Sequence, residues 1–250
     1  MISIKSEEDI VVLFQGGRLL SRIVDRLSKV IEPGVSTLEL NQLFENEVKK
    51  IGAKPSFKNY RGYPSALCAS INEEVVHGIP NNKKLQKGQI ISIDAGMIYK
   101  DLYTDMAITV GVGDISKEAQ RLIEVTRAAL FAGIQVAKAG MRLGDISYTI
   151  QEVALDAKLG VIRDLTGHGV GYGVHEEPNV PNYGVRNTGP VLKPGMVLAL
   201  EPMFTLGSYK VKIADDGWTV YTEDRSLSAH FEHTIVITKK SAEIITVDKD

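Results

Sequence analysis

Apolar residues recur every three or four positions through residues 10–30 and again through 38–51, the spacing that gives a helix one apolar stripe. Ser6, with Glu8 and Asp9 close behind it, supplies a start for the first helix, and Pro33-Gly34 breaks it. Thr37 is expected to cap the second, with Gly52 just past its end. The periodicity then gives way to an ordered aromatic loop over residues 55–64, which holds Phe57, Tyr60 and Tyr63. Short apolar runs predict strands over 66–71, 89–97 and 103–110. After these the pattern starts over. A helix is expected over 116–139 with a break at Gly140, and another, capped by Asp145, over 146–158 with Gly160 beyond it. Glycine-rich strands, a strand ending at Glu201, a hairpin near Asp215-Asp216-Gly217 and a last strand over 231–238 complete the chain.

One segment of this pattern is physically odd. Leu192-Lys-Pro-Gly-Met-Val-Leu-Ala-Leu-Glu201 is an apolar run closed by an acid, and it reads as a strand buried on both faces. A carboxylate there loses hydration at a cost of several kcal/mol unless something compensates it. Leu85-Gln-Lys-Gly-Gln-Ile-Ile-Ser-Ile-Asp94 has the same grammar 107 residues earlier, Gly88 against Gly195 and Asp94 against Glu201. The duplication implies an α+β fold of two related halves, about 1–112 and 113–250, around a pseudo-twofold axis. No linker of Pro, Ser or charged composition separates the halves, so 1–250 is expected to be one domain.

Each half offers one acid ending a strand and another near the start of the next: Asp94 and Asp105, then Glu201 and Glu232. Any one of them reads as a turn acid; the repetition argues for a shared site. Four crowded carboxylates cannot all stay ionised unaided, and two divalent cations would balance them, with manganese, iron or cobalt suited to the oxygen-rich donors. Of five histidines, His168 and His175 lie in Thr166-Gly-His-Gly-Val-Gly-Tyr-Gly-Val-His-Glu-Glu-Pro178, where the glycines leave room for close approach. His77 precedes Gly78 and Pro80, and His230 and His233 flank Glu232. No Walker or dinucleotide pattern is present. A dinuclear carboxylate–histidine site deprotonates water and stabilises the oxyanion formed at a carbonyl, which points to amide or ester hydrolysis.

Composition narrows the setting. The chain has 29 basic and 31 acidic side chains, a net charge of −2, so no DNA or other polyanion partner is expected. A single cysteine, Cys68, permits no intramolecular disulfide and fits a reducing compartment. The first residues turn acidic without a basic and apolar leader, and no run approaches the roughly 20 apolar residues of a membrane span. A soluble, cytoplasmic protein without membrane contact is expected.

At these residues the chain resembles the methionine aminopeptidases of the short bacterial type I class. The resemblance rests on Cys68-Ala-Ser-Ile-Asn-Glu-Glu-Val-Val-His-Gly-Ile-Pro80, the block from Thr166 to Pro178, Pro194-Gly-Met-Val-Leu-Ala-Leu-Glu-Pro202 and Glu232-His-Thr234, in order and across almost the whole chain. It implies the pita-bread fold, an antiparallel sheet backed by helices. It further implies that Asp94, Asp105, His168, Glu201 and Glu232 hold two divalent cations (cobalt, manganese, iron, zinc or nickel), with Asp105 and Glu232 bridging. Glu201 would also serve as proton carrier, His175 would steady the substrate carbonyl, and His77 would contact the scissile amide nitrogen. Phe57, Tyr60, Tyr63, Cys68, Val174 and Trp218 would line a methionine pocket, where aromatic edges and a thiol suit a thioether. The substrates implied are peptides and nascent polypeptides with N-terminal methionine before a small residue. Ribosome contact is left open, and a monomer is the plainer expectation.

Three positions depart from that pattern: His230 where Gln is usual, Val174 where an aromatic is common, and Leu102 where Gly is common. His230 adds a titratable ring beside a ligand and bears on the pH profile; His233 is expected to hydrogen-bond behind the site. Two other readings remain open. One is a proline-specific relative, disfavoured because those chains carry a large extra N-terminal domain; the other is a non-catalytic binding protein of the same fold, disfavoured because such relatives lose ligands.

Overall fold

In the computed structural model, which describes residues 1–248, each expected helix is present and its start has a chemical cause. The Ser6 hydroxyl accepts from the Asp9 N–H at 3.1 Å and the Asp9 carboxylate takes the Ser6 N–H, capping α1 (Glu7–Lys29). Ser36, not Thr37, caps α2 (Thr37–Lys50). Glu39 stands three residues after Ser36 and closes the same reciprocal pair, while the Thr37 hydroxyl donates to the Asn81 carbonyl. Ser116 caps α3 (Lys117–Val136), which stops short of 139 because Ala137 leaves helical backbone at ψ 88°. Asp145 lies inside α4 (Leu143–Asp156) rather than at its cap. Its carboxylate accepts the backbone N–H groups of Arg142 at 2.9 Å and Asn187 at 2.8 Å, fastening the first turn from within.

The first half contributes β1 (Lys54–Pro55), β2 (Cys68–Ile71), β3 (Glu74–Val76), β4 (Ile90–Tyr99) and β5 (Leu102–Gly111). The second contributes β6 (Gly160–Val161), β7 (Thr166–Gly169), β8 (Glu176–Pro181), β9 (Val197–Leu200), β10 (Met203–Thr205), β11 (Val211–Ile213) and β12 (Val220–Thr222). It closes with β13 (Ser228–His230), β14 (Glu232–Ile237) and β15 (Ala242–Ile244). Among the described residues nine strands form one antiparallel sheet in the order β1-β4-β5-β14-β9-β7-β8, with β2 added on β4 and β15 on β14. The hairpin expected near Asp216 joins β11 to β12, which extend to β3 in a small second sheet.

Strand alternation sorts the sheet's two faces. Ile91, Ile93, Ala95 and Met97 of β4 pack with Leu20, Leu27, Leu40 and Phe44 of α1 and α2. In the same way Leu198, Leu200, Ile235 and Ile237 pack with Leu122, Leu130, Ile146 and Ile150 of α3 and α4. Each such side chain removed from water contributes about 1.5–3 kcal/mol. The residues between them necessarily face the other way. The twin segments also turn alike: Gly88 and Gly195 take φ +91° and +85°, a left-handed conformation that costs glycine little. One expectation needs correction. Asp94 does not end its strand but sits in the middle of β4, which continues to Tyr99 because β5 pairs with it along its full length.

Close contact between α1 and the β15 segment yields a test. A Cβ added at Gly17 would lie 2.4 Å from the Ile245 carbonyl oxygen. Helix propensity favours Gly17→Ala by about 1 kcal/mol, but overpacking against backbone costs about 1–3 kcal/mol and should prevail. A lowered denaturation midpoint is expected; a raised one would contradict this packing.

Candidate metal centre and active-site cavity

The strand register gathers the acids onto the face the helices leave free. Asp94 pairs across to Ala107, and Ala107 pairs on to Glu232, so both acids share a face with Asp105, two residues before Ala107. Beyond them His233 pairs with Leu200; one step further in that antiparallel register brings Glu201, just past the end of β9, opposite Glu232. His168 pairs with Ala199 and so projects on the same side as Glu201. Donor atoms of Asp105, His168 and Glu232 lie within 4.8 Å of one another. His168 Nε2 is 3.5 Å from Glu201 Oε1.

Asp94, Asp105, His168 and Glu232 are buried and Glu201 is nearly so, and the burial controls their protonation. Desolvation pushes the Asp94 carboxyl up to about 7. Asp105 is raised by burial and then by the Asp94 charge, and Glu201 by burial and then by Asp94 and Asp105. Glu232 is raised by burial and by all three of the other acids. Oδ1 of Asp94, Oδ1 of Asp105 and Oε1 of Glu232 are buried without hydrogen-bond partners, which native proteins seldom tolerate. Burial lowers His168 to about 4 and so keeps it neutral; its Nδ1 lies 2.9 Å from the Gly169 carbonyl, which leaves the Nε2 lone pair for the cluster. Orphaned carboxylate oxygens beside a neutral imidazole held through its other nitrogen are the donor set a divalent cation takes.

His230 is buried with neither ring nitrogen hydrogen-bonded, 3.7 Å from Glu201 and 3.8 Å from Glu232. Burial lowers it to about 3, so in the metal-free protein it stays uncharged through the neutral range. His233 turns away from the cluster to the Thr246 hydroxyl at 2.9 Å.

The cluster forms the floor of a cavity of about 590 Å³. His77, in a left-handed backbone conformation at φ +59°, and His175 both line it. The His175 imidazole is lowered to about 3, mainly by burial, and its Nδ1 lies 3.1 Å from the Tyr60 hydroxyl. Phe57, Tyr63, Cys68 and Trp218 form an apolar wall, with the Tyr63 and Trp218 rings 5.2 Å apart edge to face. Burial pushes the Cys68 thiol well up, so it is not a thiolate nucleophile. Val174 does not line the cavity; it is buried behind the wall against Phe57, Tyr63 and Cys68. Leu102 opens β5 and packs with Leu13 and Val170, away from the site. Arg61, Asp164, Glu176 and Asn179 also line the cavity and were not expected from the sequence. Glu176, adjoining His175 in a glycine-rich block, had the clearest signal of the four.

A curled antiparallel sheet backed, among the described residues, by four α-helices, with a carboxylate–histidine cluster able to hold metal, defines a class of hydrolases. The chain belongs to metallopeptidase family M24, whose model matches residues 13–239. It is similar to the methionine aminopeptidase of Clostridium perfringens, 45 % identical over 249 residues and covering 100 % of both chains. It is likewise similar to the crystal structure of the Thermotoga maritima methionine aminopeptidase, with a TM-score of 0.98, 44 % identity and 99 % and 100 % of the two chains covered. The Pyrococcus furiosus prolidase shares the fold at a TM-score of 0.80 and 23 % identity, 99 % of this chain covering 66 % of that one. The fold is the pita-bread fold.

The shifted acids fix the sign of a pH effect in the metal-free protein. The unfolded chain releases these protons from about pH 4 upward, while folded Asp94 holds its own to about 7 and burial and mutual repulsion raise the other three well above their usual range. Folded protein therefore binds more protons than unfolded, and stability falls as pH rises. The buried histidines act oppositely, but only below about pH 6.5, where the unfolded chain takes up protons that they refuse. Melting temperature of metal-stripped protein should thus fall between about pH 6.5 and 7.5, as pH rises through the Asp94 titration, and a divalent cation, replacing the protons, should flatten the slope. A rise over that interval would contradict the cluster's electrostatics.

Proposed function

We propose that the chain removes N-terminal methionine from peptides and nascent polypeptides in the cytoplasm, preferring a small second residue. Residues 1–250 act in this reading as one catalytic domain, since strands of both halves share the central sheet. The observation that carries it is the meeting, in one cavity, of a buried four-carboxylate cluster and an aromatic–thiol wall suited to a thioether.

Asp94, Asp105, His168, Glu201 and Glu232 would hold two divalent cations, whose charges match the four carboxylates; cobalt, manganese, iron, zinc and nickel all fit such donors. Bound there, the cations supply Lewis acidity that lowers the pKa of a water and polarises the scissile carbonyl. Glu201 is the proton carrier. Its carboxyl is raised by burial, so it can take a proton from the attacking water and return it to the departing amine. His175 is neutral, and a Tyr60 hydroxyl donating to Nδ1 leaves the Nε2–H to donate to the carbonyl oxygen as it gains charge. His77, which lines the same cavity, is the group for the scissile nitrogen. Methionine lies against Phe57, Tyr63, Cys68 and Trp218, and Val174 supports that wall from behind.

Hydrolysis of Met-Ala-Ser tests this reading. Glu201→Ala should lower kcat by at least about 10²–10⁴-fold, the usual range for a lost proton-transfer group. A chelator should abolish activity and added divalent metal restore it. Cleavage of Xaa-Pro dipeptides in preference to Met-Ala-Ser, or activity that survives both treatments, would overturn it.

A further inference from the structure

Among the described residues Lys5 is the only lysine or arginine that is buried, its side chain 1 % exposed. A buried ammonium is costly unless paired and fully hydrogen-bonded. Its Nζ donates to Glu176 Oε2 at 2.7 Å and to the Ser3 hydroxyl, which itself donates to the same carboxylate oxygen. The other oxygen, Oε1, accepts the backbone N–H groups of Tyr172 and, at 3.0 Å, Gly173. Lys5 thus neutralises the one carboxylate that ties down the backbone of the loop running from Gly171 to Glu176.

Three further contacts fasten the same loop to the segment before α1 and to the first turn of that helix. The lysine stem lies directly on Gly171, where an added Cβ would come within 2.4 Å of Lys5 Cε. The Lys5 ammonium stands 4.7 Å from the centre of the Tyr172 ring, and the Tyr172 hydroxyl donates to Asp9 at 2.7 Å. The Lys5 N–H donates to the Gly195 carbonyl at 2.8 Å, anchoring the segment to the turn that leads into β9. His175 sits between buried Val174 and tethered Glu176, so this clamp sets where its backbone lies.

We propose that Lys5 is a positioning residue for His175: through the Glu176 carboxylate it fixes the 171–176 loop so that the His175 imidazole meets the scissile carbonyl. The inference rests on the role given to His175 above. It differs from a general tether of the N-terminal segment, because its effect on catalysis passes through one side chain.

A double-mutant cycle tests it, with kcat and KM for Met-Ala-Ser measured in wild type, Lys5→Met, His175→Ala and the double variant. Small misplacements of a catalytic group can cost up to about 10²-fold. Lys5→Met is expected to lower kcat tenfold or more with KM changed less than threefold, and to cause no further loss when His175 is absent. Equal losses in both backgrounds, as partial unfolding would give, overturn the proposal, as does an unchanged kcat. Glu176→Gln, which leaves Lys5 in place, takes its part in the cycle if Lys5→Met lacks a cooperative thermal transition. In metal-free protein the His175 imidazole ¹⁵N–¹H resonances should shift in either variant; unshifted resonances also overturn the proposal. A wild-type protein that fails to cleave Met-Ala-Ser counts against the proposed function, and the resonance measurement then decides the positioning alone.

Discussion

Four carboxylates set side by side on the buried face of one sheet are the constraint on which the rest of this structure depends. Each loses hydration, and each raises the others: Glu232 feels Asp105, Glu201 and Asp94 on top of its own burial. Left uncompensated, such a cluster costs several kcal/mol per charge, comparable to the whole net stability of a domain. The fold tolerates it in two ways. Its helices crowd onto the opposite face, where Ile91, Ile93, Leu198 and Leu200 bury apolar area. The cluster itself is left with unpartnered oxygens that a cation can satisfy.

The same constraint accounts for the chemistry around the acids. Burial pushes His168 and His230 well below their usual range, and partial desolvation does the same for the more exposed His175, so all three stay uncharged. A neutral His168 offers a lone pair, and a neutral His175 can donate to an oxygen without first shedding a proton. The apolar wall of Phe57, Tyr63, Cys68 and Trp218 keeps water from one side of the cavity. The buried Lys5–Glu176 pair fastens the loop on the other.

The central motif was legible because the chain states it twice. The likeness of residues 85–94 to 192–201 identified both acids and both turn glycines, and the structure gives those glycines matching left-handed conformations. What stayed illegible lay in pairings over distance. Nothing near Lys5 names a partner 171 residues away, nor does Tyr60 announce a hydrogen bond to His175 across 115 residues. Asp94 closes the apolar run Ile90-Ile-Ser-Ile as Glu201 closes its twin, but pairing with β5 carries β4 on to Tyr99. The α2 cap is ambiguous in the sequence for a local reason. Two adjacent hydroxyl residues compete, and only Ser36 has an acid at the spacing that completes the box.

The central claim is that protonated, desolvated carboxylates wait for divalent cations. Calorimetric titration of metal-stripped protein with a divalent cation near pH 6, repeated in buffers of different ionisation enthalpy, measures it directly. Tight binding with net proton release is the predicted result, because cation binding displaces the proton that Asp94, pushed up to about 7, still holds there, and burial raises Asp105, Glu201 and Glu232 in the same direction. Absence of binding, or binding with no buffer-dependent heat, would contradict the account.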